Sequence, residues 1–290
     1  MKIIDLYCGI GGGSEGLRNA GYEPAFACDA SRYARFVYRK NFSCYVDDDV
    51  ASIDPKKVPH PEIVFASPDT LDSKPIIRIL EATSPRAVII EYPERMFDKD
   101  LRDRLVNSPK PIKLGSYKCW GNIASTEDYG LPQKRKRFYL VGFRSDVKMI
   151  TDRFTFPEPT TVGDKRNVLG NILEPDPKPN LYLTKRKLEY IEMFNQRNED
   201  RDFRFKHIAY GANDITQSLA MFYYKDYRGI LVDVGKGVRR LSVLECRRLM
   251  GFKDSFNLPV SQKKSYELLA IASCPPVIQA IGQELSLWLI

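Results

Sequence analysis

The first half of the chain alternates short, almost continuously apolar runs with longer stretches in which apolar residues recur at helical spacing. The apolar runs are KIIDLYC, EPAFACD, EIVFASP, RAVIIEYP and RFYLVGF, and the helical stretches include GSEGLRNAG and SRYARFVYRKNF. Apolar strands that alternate with helices are typical of a parallel sheet buried on both faces. The pattern predicts an α/β fold with a doubly wound, mostly parallel sheet, and a chain of 290 residues leaves room for a smaller second lobe.

A glycine-rich turn, DLYCGIGGGSEG, follows the first predicted strand. Gly9 and Gly11 would let the backbone approach a ligand closely, although such turns also use glycine for packing. Asp29 follows the second strand, about 20 residues further on, where an acidic side chain can accept hydrogen bonds from ribose hydroxyls. Asp49 stands at a third strand end, where it could accept a hydrogen bond from an adenine amino group. Together these positions predict a nucleoside-type cofactor.

The charge balance bears on the kind of partner that the protein binds. The net charge is +8 and the pI is near 9.0. This favours a polyanionic partner, most simply nucleic acid, but an ordinary basic surface fits the charge equally well.

The cysteines and histidines predict neither a metal site nor disulfides. Six cysteines show no CxxC spacing, and the chain has only two histidines. The N-terminus does not resemble a signal peptide and no run of 18 apolar residues occurs, so no membrane association is expected. We expect an intracellular protein, in the cytoplasm or with the nucleoid or nucleus, whose thiols are reduced.

Several motifs resemble, in order and spacing, those of the cytosine-C5 DNA methyltransferase family, which includes related tRNA methyltransferases. The segment from DLYCGIGGG to VYRKNF is similar to the opening motif, and EYPERM stands where the family has Glu-Asn-Val. DYGLPQKRKRFYLVGF matches the Gln-x-Arg-x-Arg motif, and RRLSVLECRRLMGF matches the segment that closes the target-recognition region. The resemblance implies a Rossmann-like methyltransferase with a cofactor-binding domain over 1–150, a small target-recognition lobe over 151–238, and a segment, 239–290, that returns to the first domain.

The resemblance also implies a role for individual residues. S-adenosyl-L-methionine would be bound by Asp5, Tyr7, Gly9, Ile10, Gly11, Gly12, Asp29, Asp49, Val50 and Ser67. The catalytic positions would be Glu91, Arg135, Arg137 and Thr70, and nucleic acid would be contacted by Gln133, Arg239 and Arg240. Glu91 would contact the target cytosine at N3 and its amino group once the base has been flipped out of the helix.

Residues 133–137 contain a basic pattern that also has a structural explanation. Gln133, Arg135 and Arg137 alternate along one predicted strand and would therefore share a face. A basic edge strand packed by carboxylates would give the same sequence.

The stretch VFASPDTLDSK departs from the family. Where the family has Pro-Cys-Gln, the position of the nucleophilic cysteine falls on Thr70, and the following residues enter helical spacing almost at once, so the mobile loop is expected to be short. In the last motif the family's Gly-Asn falls on Ala270 and Ile271.

The sequence thus leaves several functions open. The chain could be a divergent nucleic-acid methyltransferase, on DNA more than on RNA, with an atypical or impaired site. It could instead be an inactive pseudo-methyltransferase that binds DNA or a protein partner, or a cofactor sensor. Methylation of an exocyclic amine fits less well, because SPDT lacks the aromatic residue of that loop.

Overall fold

The computed structural model describes residues 1–106, 108, 110–148, 153–161, 166–197, 207–226 and 229–289. The chain forms two compact units. The first, here called the sheet unit, comprises Met1–Ser125, Lys136–Glu158 and Ala272–Ile290, and the second unit comprises Thr126–Arg135 and Pro159–Ile271. The assignment of functions to 1–150, 151–238 and 239–290 stays a prediction.

The sheet unit is built on one eight-stranded sheet with the strand order β3-β2-β1-β4-β5-β9-β7-β6. The strands are β1 (Lys2–Leu6), β2 (Glu23–Cys28), β3 (Tyr45–Asp47), β4 (Ile63–Ala66), β5 (Ala87–Pro93), β6 (Ile112–Leu114), β7 (Tyr117–Ser125) and β9 (Lys136–Arg144). Strands β1 to β5 pair in parallel, whereas β9, β7 and β6 are added antiparallel. The predicted α/β fold with a mostly parallel sheet is confirmed.

Helices cover the sheet because its strands are apolar on both faces. The helices of this unit are α1 (Gly12–Asn19), α2 (Arg32–Arg39), α3 (Lys74–Thr83), α4 (Lys99–Val106) and α9 (Pro275–Trp288). Helix α1 packs against α9, and the Tyr22 hydroxyl donates a hydrogen bond to the Gly282 carbonyl over 3.1 Å. The first and the last helix of this unit therefore support each other.

The second unit has smaller sheets and its own helices. Its strands are β8 (Gln133–Lys134), β10 (His207–Tyr210), β11 (Thr216–Gln217), β12 (Gly229–Asp233) and β13 (Val238–Arg239), and its helices are α5 (Lys185–Arg197), α6 (Tyr223–Asp226), α7 (Val243–Leu249) and α8 (Gln262–Ile271). Strands β10, β12 and β13 form one sheet, while β11 and β8 form another. Helix α7 begins with a capping box between Ser242 and Glu245, which satisfies backbone donors at its first turn.

One stretch of the described residues, Gln262–Trp288, is long and apolar enough to cross a membrane by composition, but 72% of its apolar 18-residue window is buried in the fold. It consists of α8 and α9 with the Pro-rich break between them, and its burial is that of core helices. Among the described residues no cluster of His, Cys, Asp and Glu has the arrangement of a metal site.

Candidate functional site

The turn between β1 and α1 is held in a conformation that favours glycine. Gly9 and Gly11 have φ of 53° and 97°, and Tyr7 has a φ of 56°, which is uncommon for a residue with a side chain. The turn is closed by a hydrogen bond from the Gly11 N–H to the Cys8 carbonyl, 2.8 Å, and anchored to β2 by one from the Cys8 N–H to the Cys28 carbonyl, 2.9 Å.

The glycines of this turn serve different purposes. A methyl group on Gly9 would meet nothing within 4 Å, whereas one on Gly11 would collide with the Phe42 ring and one on Gly12 with the Ser273 carbonyl oxygen. Ile10 is buried in the core. Gly9 is thus the glycine that leaves open space for a ligand, and Gly11 and Gly12 allow close packing behind the turn.

Asp29 links the turn to the end of β2. Its Oδ2 accepts a hydrogen bond from the Gly9 N–H and its Oδ1 accepts one from the Ser31 N–H, both at 2.8 Å. Burial and the neighbouring Asp69 raise the pKa of the Asp29 carboxyl, while the backbone donors lower it. Each oxygen keeps acceptor capacity for a further donor.

The loop after β3 carries Asp49 and Val50. Asp49 is exposed and Oδ1 accepts a hydrogen bond from the Ala51 N–H, while the Val50 side chain is buried. The Arg78 guanidinium, from α3, donates to the carbonyl oxygens of Val50 and Ala51 at 2.8 and 3.1 Å. Arg78 therefore fixes this loop, a role that its place on a surface helix could not reveal.

Asp5 lies at the bottom of the site. Its side chain is fully buried, and its Oδ2 accepts hydrogen bonds from the Ser14 N–H and hydroxyl at 3.1 and 2.6 Å. Its Oδ1 has no hydrogen-bond partner among the described residues. Burial, with smaller contributions from the charges of Asp29 and Glu91, raises the pKa of the Asp5 carboxyl to about 7, although the two hydrogen bonds from Ser14 lower it.

These features suit a nucleoside cofactor that carries a positive charge. Open space over Gly9 admits a ligand, Asp29 and Asp49 offer carboxylate oxygens to hydroxyl or amino groups, and the unpartnered Asp5 oxygen needs a donor or a cation. The chemical character of Asp5, Gly9, Asp29 and Asp49 suits S-adenosyl-L-methionine, and the assignment of these residues to that molecule stays a prediction.

The loop that carries Thr70 follows β4. The Ser67 N–H donates to the Leu6 carbonyl, and Thr70 is exposed, with its Oγ1 accepting a hydrogen bond from the Asp72 N–H over 3.2 Å. Burial raises the pKa of the Tyr7 hydroxyl to about 12, with smaller contributions from carboxylates that include Asp69 and Asp72, which indicates that the loop lies near the cofactor turn. Helix α3 begins at Lys74, as its spacing predicts, and the loop is short.

The cysteines of the chain offer no ready substitute for a thiolate at Thr70. None occurs between Cys44 and Cys119 in the sequence, and none of the six forms a disulfide. Burial raises the pKa of the Cys8 thiol well above its usual value and that of Cys119 to about 12. Buried thiols of this kind are inert.

Glu91 and Arg137 meet across neighbouring strands. Glu91 lies in β5, is 2% exposed, and its Oε1 is 3.4 Å from the Nε of Arg137 on β9. The Glu91 Oε2 is buried without a partner among the described residues. Glu91 can thus accept a further hydrogen bond. A buried carboxylate oxygen without a donor lowers the stability of the fold unless a ligand supplies one.

Gln133 and Arg135 belong to the second unit, and the prediction that they share one strand with Arg137 is wrong. The chain turns at Arg135, whose N–H donates to the Gln133 carbonyl and whose own carbonyl accepts from the Thr126 N–H. Strand β8 therefore ends at Lys134, and β9 begins at Lys136.

Both of these side chains form hydrogen bonds with groups of the second unit itself. The Gln133 amide donates to the Leu249 carbonyl and accepts from the Leu219 N–H, and the Arg135 guanidinium donates to the Ala270 carbonyl and the Ser218 hydroxyl. Both side chains are buried.

Arg239 and Arg240 differ in their surroundings. Arg239 is 2% exposed and donates two hydrogen bonds to the Glu245 carboxylate, at 2.7 and 2.8 Å, which neutralise its charge inside the fold. Arg240 is half-buried, and its N–H donates to the Leu181 carbonyl. A buried, doubly paired guanidinium is poorly placed to bind a phosphate, so the geometry of Arg239 argues against its predicted contact with nucleic acid.

Known proteins match nearly the whole length of this chain. The model of the family described as C-5 cytosine-specific DNA methylase matches residues 1–68 and 74–287. The match leaves out residues 69–73, the loop that contains Thr70.

Two curated relatives are type II methyltransferases. The chain is 31% identical over 313 residues to M.NlaX of Neisseria lactamica, covering 98% of this chain and 96% of that protein. It is 30% identical over 303 residues to M.HaeII of Haemophilus aegyptius, covering 97% and 91%. Among solved structures, a mutant DNMT2 of Spodoptera frugiperda has a TM-score of 0.75 at 19% identity, covering 98% of this chain and 99% of that one, which shows the same fold.

Proposed function

This chain belongs to the C-5 cytosine-specific DNA methylase family, and we propose that it is a divergent methyltransferase of nucleic acid, DNA before RNA, with an atypical or impaired active site at Thr70. The family uses S-adenosyl-L-methionine as methyl donor. One combination of features supports the proposal. The glycine-rich turn and a buried Glu91 with one unpartnered oxygen are retained, but the loop around Thr70 contains no cysteine.

The cofactor and the base would be bound by separate parts of the site. Asp5, Gly9 and Asp29 would hold S-adenosyl-L-methionine, and Glu91, kept in place by Arg137, would accept hydrogen bonds from a flipped cytosine. The unpartnered Glu91 oxygen supports this role, because a buried carboxylate oxygen without a donor is a cost to folding that a substrate could remove. Residues 151–238 would supply the target-recognition lobe.

The chemistry of the loop explains why the site would be impaired. A cytosine becomes reactive at carbon 5 when a thiolate adds at carbon 6, and a threonine hydroxyl ionises far less readily than a thiol. Asp69 and Asp72 flank Thr70 in sequence, and carboxylates disfavour a further negative charge nearby. Loss of the thiolate should slow the reaction by several orders of magnitude, since each factor of ten corresponds to about 1.4 kcal/mol.

An inactive pseudo-methyltransferase is the second candidate. The family match fails at residues 69–73, and the Thr70 hydroxyl is engaged by the Asp72 N–H within its own loop. In this role the chain would bind DNA or a protein partner inside the cell without transferring a methyl group.

Transfer of labelled methyl from S-adenosyl-L-methionine to mixed DNA and to tRNA tests the first proposal. We compare the natural chain with Thr70→Cys, with Glu91→Gln, and with Thr70→Ser as the matched control that keeps a hydroxyl. We expect slow incorporation into DNA by the natural chain that disappears in Glu91→Gln, and much faster incorporation by Thr70→Cys.

The carboxylates beside the loop give a further comparison. The carboxylates of Asp69 and Asp72 would raise the pKa of the introduced thiol, so Thr70→Cys combined with Asp69→Asn and Asp72→Asn should transfer methyl groups faster than Thr70→Cys alone.

Calorimetry of the same variants with S-adenosyl-L-methionine separates the two candidate functions. If the natural chain and Thr70→Cys both bind the cofactor but transfer no methyl group, the inactive role is supported. If the natural chain binds no cofactor, the cofactor assignment itself is contradicted.

A further inference from the structure

A buried chain of hydrogen bonds connects the cofactor turn to α2. The Asp5 Oδ2 accepts from the Ser14 hydroxyl over 2.6 Å, and the Ser14 Oγ is 2.6 Å from the Tyr38 hydroxyl oxygen. All three side chains are buried. The chain thus runs from β1, through the first turn of α1, to the inner face of α2.

Tyr38 also contacts the turn through its ring. The ring packs on Phe42 with 4.5 Å between centroids, and the Phe42 ring in turn fills the space next to the Gly11 backbone. The ring alone would be enough to fill this part of the core, and a phenylalanine would provide it. The hydroxyl is therefore the part of Tyr38 that needs a separate explanation.

The direction of the hydrogen bonds follows from the carboxylate. An ionised Asp5 can only accept, so the Ser14 hydroxyl donates to it, and the Tyr38 hydroxyl then donates to the Ser14 oxygen. At the outer end the Cys44 thiol donates to Tyr38 over 3.9 Å. Each donor polarises the next, which stabilises negative charge on Asp5.

The other groups near Asp5 act in the opposite direction. Asp29 and Glu91 carry negative charges that oppose its ionisation, and the neighbouring thiol of Cys8 is neutral because burial raises its pKa. Within the described residues, Ser14 supplies the side-chain and backbone donors that favour the charged form. The hydroxyl of Tyr38 orients the Ser14 hydroxyl and so bears on the ionisation of Asp5.

We propose that Tyr38 is a positioning residue for the cofactor site, which holds the Ser14 hydroxyl on the Asp5 carboxylate, so that the unpartnered Asp5 oxygen is available to a positively charged group of the cofactor. The inference rests on the proposed cofactor. It assigns a function to a helix residue outside the glycine-rich turn.

The test is the pH dependence of S-adenosyl-L-methionine binding to the full chain, measured by calorimetry between about pH 6 and 8.5. An acidic group needed in its ionised form gives affinity that falls as the pH drops through its pKa. In Tyr38→Phe the pKa of Asp5 should rise, so the midpoint should move upward by about half to one pH unit, and binding at about pH 6 should weaken about 3- to 10-fold.

Tyr117→Phe is the matched control. The Tyr117 hydroxyl is also buried in the sheet unit, but it donates to the Pro85 carbonyl over 2.7 Å and has no part in the cofactor turn. This variant should lose a similar hydrogen bond and keep the natural midpoint. An unchanged midpoint in Tyr38→Phe, or an equal shift in Tyr117→Phe, would overturn the proposal.

A second measurement does not depend on the cofactor. The titration of the Asp5 carboxyl, followed by carbon-13 NMR in the ligand-free protein and assigned with Asp5→Asn, should move to higher pH in Tyr38→Phe. Failure of the natural chain to bind S-adenosyl-L-methionine would remove the cofactor role for Asp5 and Tyr38 together with the proposed function. Cofactor binding with no change in either titration would remove the role of Tyr38 alone.

Discussion

Substitution of Glu245 by alanine should destabilise the second unit by about 3–5 kcal/mol. The Glu245 carboxylate is fully buried and accepts four hydrogen bonds: two from the Arg239 guanidinium and one each from the N–H groups of Ser242 and Glu174. The variant leaves the Arg239 charge, 2% exposed, without its partner. An unpaired buried charge dominates the expected loss.

A double variant separates the charge from the packing. Arg239→Met combined with Glu245→Leu removes both charges and keeps apolar volume, so it should recover most of the lost stability, because pairs of this kind are often replaced at little cost. The backbone N–H groups of Ser242 and Glu174 would still lose their acceptor, so the double variant should remain about 1–3 kcal/mol less stable than the natural chain.

The free energy of unfolding, measured by urea denaturation, checks both expectations. The matched control is Asp254→Ala, which breaks another two-bond pair, with Arg248 at 2.9 and 2.6 Å. The Asp254 side chain is exposed and that of Arg248 is half-buried, so neither charge is left in the core. It should cost less than about 1 kcal/mol. The reasoning is refuted if Glu245→Ala costs no more than the control, or if the double variant is as unstable as Glu245→Ala.

The same double variant tests the predicted contact of Arg239 with nucleic acid. If Arg239 serves the fold alone, the folded double variant should bind DNA with the affinity of the natural chain, as measured by fluorescence anisotropy. A loss of about tenfold or more in the folded variant would restore Arg239 to the binding surface.

Two further outcomes concern the cofactor turn. Asp29→Ala should weaken S-adenosyl-L-methionine binding by about 1–3 kcal/mol in calorimetry through lost hydrogen bonds, and an unchanged affinity would remove Asp29 from the site. Gly12→Ala should impair folding, seen as a lower urea midpoint, because its methyl group has no room beside the Ser273 carbonyl; Gly9→Ala should change stability by only about 1 kcal/mol yet weaken cofactor binding. Equal effects of the two alanines on stability would contradict the different roles assigned to these glycines.

Much of the fold could be predicted because its signals are local. Strands buried on both faces, such as β4 with Ile63, Val64, Phe65 and Ala66, are apolar throughout, and the segments between them have helical spacing. Glycine at positions 9 and 11 marks a turn with positive φ, and Asp29 follows directly on β2. These features depend on neighbours in sequence.

The rest depends on contacts that no local pattern records. Gln133, Arg135 and Arg137 alternate like residues of one strand, and only the hydrogen bonds around Arg135 show that the strand is interrupted. Arg239 resembles a surface cation in sequence, but Glu245 makes it part of the core. Tyr38 cannot be distinguished from an ordinary core tyrosine until its hydroxyl is seen beside Ser14.

The packing of α1 against α9 has a consequence for biosynthesis. Gly12 and Gly16, near the start of the chain, fit against Ser273 and Pro275, more than 250 residues later in the sequence. A ribosome that has made the whole first half of the protein has therefore produced a cofactor turn whose supporting helix does not yet exist. The nascent sheet unit would leave an apolar face of α1 uncovered until Ser273 and Pro275 have left the ribosome, and exposed apolar surface of this kind is what chaperones bind during synthesis.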